Sequence, residues 1–448
     1  MSEEIAARLR AAGMSAAEAR AKGALFEKAA SRLDEFHGPG QSPHHAVFAP
    51  GRIEVLGKHT DYAGGRSLLA AAERGICLVA AQRSDALIRI SDAQQDLDAE
   101  LALSPDLPPA PTEWMNYPIT VVRRVARNFP EAHTGADIAF ASDLPAAAGL
   151  SSSSALIIAI FLALAEINAL DQSAAYKRNL HNLQDLATYL ASIENGQGFG
   201  TLASDSGVGT TGGSEDHIAI LCCRSGHLCQ YSFNPPVLEK EIPLPSGLTF
   251  VIGVSGITAE KARTALEKYN RASRIVQEIL GHWRAATRRK DASLAAAVAS
   301  APDASERLRS ILLASNDPQY PAHVLVDRLD QFVAESNTII PAASDALGRG
   351  DLRKFGQLVE RSQTGAEWLL GNQVPETIEL ARSARVLGAA AASAFGAGFG
   401  GSVWALIRDS QAEEFRALWR ERYHQTFPER ARLSEFLITA AGPAAQRL

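Results

Sequence analysis

Cysteine is scarce: there are four in 448 residues, at Cys77, Cys222, Cys223 and Cys229. So few thiols, so unevenly spaced, exclude a disulfide framework, and no CxxC pair accompanies a His pair for zinc; buried, reduced thiols in a cytoplasmic protein are expected. A long apolar run is also lacking. The apolar stretch after Ser154 ends at Glu166, too short to cross a bilayer, and Met1 to Phe26 has no apolar core of the signal-peptide kind. Excess positive charge is lacking as well. A net charge of -6 argues against nucleic acid or an anionic membrane as partner and leaves a small ligand. There is no internal repeat, and no low-complexity tract beyond an alanine bias.

With 46% hydrophobic and 21% charged residues in 448, the chain is long enough for more than one ordinary core. Its character changes after Pro245. Before that point short strand-like segments alternate with helical ones. Beyond the strand Leu248 to Val254, the span from Ala259 to Val386 reads as amphipathic helices, followed by strands at Val403 to Ile407 and Phe436 to Ala440. An α+β protein is expected, divided into a helical extension over 1–25, a first domain over 26–245 and a second over 246–448. Ile218 to Cys223 reads as a strand, and the glycine-rich Asn195 to Gly213 as a flexible lid or insertion.

Three stretches carry chemistry. Gly149, Leu150 and four serines, Ser151, Ser152, Ser153 and Ser154, precede a helix with no charge before Glu166. Small residues at such a helix start leave first-turn N–H groups open to an anion, although a serine-capped buried helix would look the same. In Gly51 to Gly65, Ile53 and Val55 alternate like a strand, and the loop after it gathers Lys58, His59 and Asp61, with Arg52 just before. Mixed donors and acceptors on one tight loop suit a hydroxyl-rich ligand, and a solvated turn is the plainer alternative. Near the end, Gly396, Gly398, Gly400 and Gly401 form a turn ahead of a strand, where backbone approaches backbone or ligand.

In order and rough spacing these stretches resemble the galactokinases of the GHMP kinase superfamily: the sugar signature, the phosphate loop and the third motif. Trp114, Asn116 and Tyr117 match a WxNY pattern, and Pro375 precedes the last motif. The resemblance implies an N-terminal ribosomal-protein-S5-like domain and a C-terminal ferredoxin-like domain with the active site between them. It further implies transfer of the ATP γ-phosphoryl group to the anomeric hydroxyl of a sugar, with ATP and Mg²⁺ required, in a monomer or weak homodimer. By the same resemblance Asp216 is the catalytic base and Arg52 faces it. Lys58, His59, Asp61, Gly213 and Tyr269 contact sugar, while Trp114 and the segment Gly149 to Ser154 bind ATP. Ser153 and Glu194 hold the metal.

Lys58 is the main departure, since the family has a glutamate there that takes a hydrogen bond from the sugar 6-hydroxyl. A lysine offers only donors, so either a C6-altered sugar such as galacturonate is used or Lys58 turns away. Glu54 replaces an asparagine, Ala147 a glycine, Ser154 an alanine and His217 a glutamine. A non-catalytic sugar and ATP sensor on the same scaffold is the alternative of another class; such relatives have lost part of the phosphate loop.

Overall fold

The computed structural model describes residues 2–38, 45–95, 97–108, 114–145, 148–257 and 262–448, with side chains of the last segment described from 267; Ala147 lies outside the described residues. The structure is α+β, built on two sheets. The first contains β1 (His45–Leu56), β2 (Arg66–Gln82), β3 (Leu87–Asp92), β4 (Leu97–Ala102), β5 (Ala136–Ser142), β6 (His227–Ser232) and β7 (Val237–Pro243). The second contains β8 (Leu248–Val254), β9 (Ala391–Phe395), β10 (Ser402–Arg408) and β11 (Glu435–Thr439); β12 (Gln446–Arg447) returns to pair with β1 at the edge of the first.

Alternation explains why the first sheet is covered on both sides. Ala46 and Phe48 of β1, Cys77, Val79 and Ala81 of β2, and Ala139 and Ala141 of β5 pack under the N-terminal helices Ser2–Ala11 and Ala16–His37. Their neighbours Val47, Ala49, Leu78, Ala80, Ile138 and Phe140 face the opposite core, where the helix Ser152–Ile167 lies. That helix is apolar all round, and each residue from Ser154 to Ala165 is buried. At about 1.5–3 kcal/mol per large aliphatic side chain, this burial makes it a firm post for its own N terminus.

The second sheet has the order β11-β8-β10-β9, all antiparallel, the strand order of a ferredoxin-like βαββαβ unit. The helices Pro375–Val386 and Ala412–Thr426 cover one face. A separate helical cluster, centred on Trp283, Leu308 and Phe332, packs against Tyr62 and Ala63 and so braces the loop after β1.

Three expectations change. Ile218 to Cys223 is no strand: Glu215–Cys222 is a helix, because a short buried apolar run carries no period that separates the two. The expected break at residue 25 falls inside the continuous helix Ala16–His37. The segment 195–213 is laced down rather than free. Arg123 Nε donates to Asp205 Oδ2 at 2.8 Å with both side chains nearly buried, Val208 N–H donates to Glu194 O, and Asn195 Nδ2 donates to Gly212 O. The cations that hold it come from the helix Asn116–Asn128, far away in sequence.

Candidate active site

Ser151 occupies the N-cap of the serine helix, but in a left-handed conformation (φ 59°, ψ 45°) and without capping through its side chain. An L-residue held there stores local strain, and the first-turn N–H groups keep their anion-binding potential. Gly149, at φ 71°, turns the chain into this position. The glycine turn after β9 leans on the same loop: Ser402 Oγ donates to Ala148 O at 2.5 Å, and a Cβ on Gly396 would stand 3.3 Å from Gly149 O. Gly398 at φ 80° lies so close to Asn372 that no side chain fits.

Two cavities meet at this point. One, of about 310 Å³, is lined by Arg52, Glu54, Asp61, Gly213, Asp216 and Tyr269 among others. The other, of about 570 Å³, runs from the serines past Ile76, Leu97, Trp114, Phe140 and Leu156. Arg52, Ser153, Asp216, Gly396 and Ala397 border both. Charged and polar side chains ring the smaller, which suits a hydroxylated ligand; the larger pairs apolar and aromatic walls with open helix N–H groups.

Arg52 and Asp216 form the junction. Arg52 Nε donates to Asp216 Oδ1 at 2.7 Å, and Arg52 Nη1 donates to Gly149 O. Burial pushes the Asp216 carboxyl up, but the Arg52 guanidinium and the Ser151 hydroxyl outweigh it and hold it below its ordinary value. Asp216 is therefore ionised at neutral pH, while its side chain keeps 35% exposure toward the cavities. The period of β1 places Arg52 there: Ile53 and Val55 enter the core, and Arg52 and Glu54 take the other face.

Burial raises the other cavity carboxyls: Asp61 to about 6, Glu54 and Glu194 to about 7, and Glu215 well above its usual value. Asp61 Oδ2 accepts Glu215 N–H at 3.2 Å and closes against Gly213, where a Cβ would strike that carboxylate. His59 Nε2 reaches Ala397 O at 3.0 Å and Nδ1 reaches Tyr62 Oη at 2.9 Å. A carbonyl only accepts, so Nε2 carries the proton; burial lowers the imidazole to about 4 and keeps it neutral. Both nitrogens are thus committed within the protein, and His59 shapes the wall with Tyr269, whose ring centre is 5.2 Å away.

Two expected site residues line neither of these two cavities. Lys58 is 1% exposed and its Nζ donates to Ser393 Oγ at 2.8 Å and Ser362 Oγ at 3.3 Å. A buried ammonium takes the acceptors that the fold offers, here the hydroxyls of Ser393 and Ser362. Leu150 turns its side chain into the core and contributes its carbonyl, which accepts Arg52 N–H at 3.1 Å. Ser154 is also redirected: its hydroxyl donates to Glu194 Oε2 at 2.8 Å, while Ser153 Oγ donates to Glu194 Oε1 at 3.3 Å. Conversely, Glu54, Glu215 and Asn195 line the smaller cavity although the sequence did not mark them as site residues. Their signal was their nearness to Arg52, Asp216 and Glu194 in sequence.

Comparison with known proteins agrees with this geometry. The galactokinase galactose-binding signature matches residues 34–82, the GHMP kinase N-terminal domain 116–213, and the GHMP kinase C-terminal domain 343–425. The chain is 27% identical over 401 residues to a galactokinase of Actinobacillus pleuropneumoniae serotype 3, covering 86% of this chain and 91% of the relative. It is 28% identical over 387 residues to a galactokinase of Roseiflexus, covering 86% and 89%. In fold it is similar to Lactococcus lactis galactokinase complexed with galactose, with a TM-score of 0.75 at 22% identity, covering 93% of this chain and 98% of that one. A mevalonate kinase of L. major in complex with R-mevalonate gives a TM-score of 0.54 at 15% identity, covering 89% and 96%. With the signature, both domains and the fold in agreement, the chain is a galactokinase-like member of the GHMP kinases, phosphotransferases with an alcohol group as acceptor.

Proposed function

We propose that the protein is an ATP-dependent sugar 1-kinase converting galactose and ATP to galactose 1-phosphate and ADP. The observation that carries this reading is the Arg52–Asp216 pair, which stands where a polar cavity meets one that begins at an uncapped helix N terminus. The nucleotide base would lie against Trp114 and the triphosphate against the N–H groups of the serine helix. Asp216, ionised at neutral pH, is suited to accept the proton of the sugar hydroxyl. The guanidinium beside it offsets charge developing on the transferred group, and phosphoryl transfer asks for little beyond such positioning and charge stabilisation.

Mg²⁺ fits the remaining carboxylate. Glu194 is half-buried with hydroxyl partners Ser153 and Ser154 and beside His217, whose imidazole burial keeps neutral, so its negative charge lacks a protein cation. Among the described residues no three His, Cys, Asp or Glu side chains gather to hold a metal. Glu194 and Ser153 would thus share the ion with phosphate oxygens, as Mg²⁺ commonly allows, and the bound ion would neutralise charge on the phosphates.

A neutral sugar is favoured over a uronate. Lys58, the residue that could have matched an acidic C6, faces Ser393 and Ser362, and Arg52 is the one cation among the described lining residues beside five carboxyls. The test is ADP release with Mg·ATP over galactose, N-acetylgalactosamine, arabinose and galacturonate, with the product position read by phosphorus NMR. Galactose turnover to the 1-phosphate is expected. Binding of ATP and sugar without turnover would make the protein a sensor, and preference for galacturonate would overturn the neutral-sugar reading.

A further inference from the structure

Glu54 is 3% exposed and lies on the acceptor-facing side of β1, two positions beyond Arg52. Its Oε2 accepts Gly396 N–H at 3.1 Å, which ties β1 to the glycine turn. Its Oε1 is buried and has no hydrogen-bond partner. A buried acceptor without a donor is destabilising, the more so when charged, and on a residue that lines a ligand cavity it is the kind that a ligand satisfies. Arg52 spends Nε on Asp216 and Nη1 on Gly149 O, and none of its N–H groups bonds Glu54 Oε1.

The adjacent loop sharpens the point. Position 58, where the resemblance leads one to expect a glutamate on the sugar, holds a lysine that turns to Ser362 and Ser393. The cavity is left without a carboxylate from position 58 and has gained one from position 54.

Resting on the sugar-kinase reading, we propose that Glu54 Oε1 is a specificity-determining acceptor, taking a hydrogen bond from a sugar hydroxyl other than the one phosphorylated. It shares a strand face with Arg52, so the hydroxyl it reads belongs to the end of the sugar that carries the reacting group. With Glu54 ionised, substrates presenting a second acceptor toward it are disfavoured, because two lone pairs would then face each other without a proton between them.

The test uses the full chain, with galactose and its 2-, 3-, 4- and 6-deoxy forms, comparing the native protein with Glu54→Gln. The amide oxygen of glutamine can still accept from Gly396, and its NH₂ then faces the cavity. Glu54→Gln is expected to lower kcat/KM for galactose by about 10- to 100-fold, mostly through KM. One deoxy form, already penalised by the native protein, loses no more than about twofold further, because the contact is absent from both sides of the cycle. Sugar affinity without nucleotide, measured by calorimetry, follows the same pattern. Glu54→Asp, which keeps the carboxylate, is expected to restore part of the affinity and guards against a glutamine variant that misfolds. The proposal is overturned if Glu54→Gln leaves galactose kcat/KM within about twofold of native, or if it lowers all five sugars in parallel, as a purely structural tie to Gly396 would. Galactose turnover by the native protein with no Glu54 effect overturns this proposal alone; absence of turnover with any sugar overturns the kinase reading along with it.

Discussion

Asp216→Asn tests the junction most directly. The asparagine keeps the shape and can still accept from Arg52 Nε, which bonds Oδ1 at 2.7 Å, but it cannot take a proton from the sugar. A positioned general base contributes about 10²- to 10⁴-fold, or roughly 3–5 kcal/mol of barrier, so kcat is expected to fall by that factor while KM for ATP moves little. Stability changes as well, because Arg52, 5% exposed at its side chain, loses its counter-charge. Breaking a fully buried pair costs about 3–5 kcal/mol and an exposed one about 0–1. With Asp216 about one-third open, a loss of about 1–3 kcal/mol is expected in urea unfolding.

The pH dependence follows from the sign of the shift. The folded-state pKa of Asp216 lies below its ordinary 3.8, so its contribution is complete above about pH 4 and is lost only as pH falls through the lower folded value. The stability gap between native and Asp216→Asn should therefore be flat from pH 5 to 8 and narrow only in acid. An acid limb in kcat/KM near pH 6–7 belongs instead to Asp61, Glu54 and Glu194 and should persist in the variant. The assays are coupled ADP release and urea titration. Asparagine at 216 with kcat within about threefold of native would refute the assignment of the base, since even the weak end of the range is about 100-fold.

Gly213→Ala would push a Cβ into the Asp61 carboxylate, so KM for sugar should rise about tenfold or more while KM for ATP holds; equal changes in both would point to general damage. Glu194→Gln should raise the Mg²⁺ requirement and lower kcat. Because the Glu194 carboxyl is raised to about 7 by burial, its charge costs stability as pH climbs from about 4.5 to 7, so the glutamine variant should melt no lower than native at pH 8 without ligand. Lys58→Met, which removes a buried ammonium but keeps volume, should leave the ratio of galactose to galacturonate turnover unchanged in the coupled assay. A swing toward one sugar would return Lys58 to the substrate.

The resemblance extended to the fold as well as the motifs: two α+β units, with the second sheet in ferredoxin-like order. Chain-local patterns were legible without it. The alternation of Ile53 and Val55 marks β1 and puts Arg52 on its other face, and the charge-free run after Ser154 marks a helix buried on every side. Both depend on neighbours a few residues apart, which the linear order preserves. Where the pattern was short, as at Ile218 to Cys223, helix and strand looked alike, and packing against the core decided for the helix.

What sequence alone determined is therefore most of the elements and the identity of the pieces: a serine-led helix, an Arg52 strand and a glycine turn, with Asp216 named by the resemblance but its helix not foreseen. Tertiary structure decided which way individual side chains point. Lys58 leaves the cavity because Ser362 and Ser393, some three hundred residues onward, offer its ammonium acceptors; the segment 195–213 is held because Arg123 and Arg124 reach Asp205 from another helix. Glu54 keeps one oxygen open because Gly396 supplies a single N–H to the pair. A buried polar group goes where its partner is, and that partner's position is a property of the folded chain.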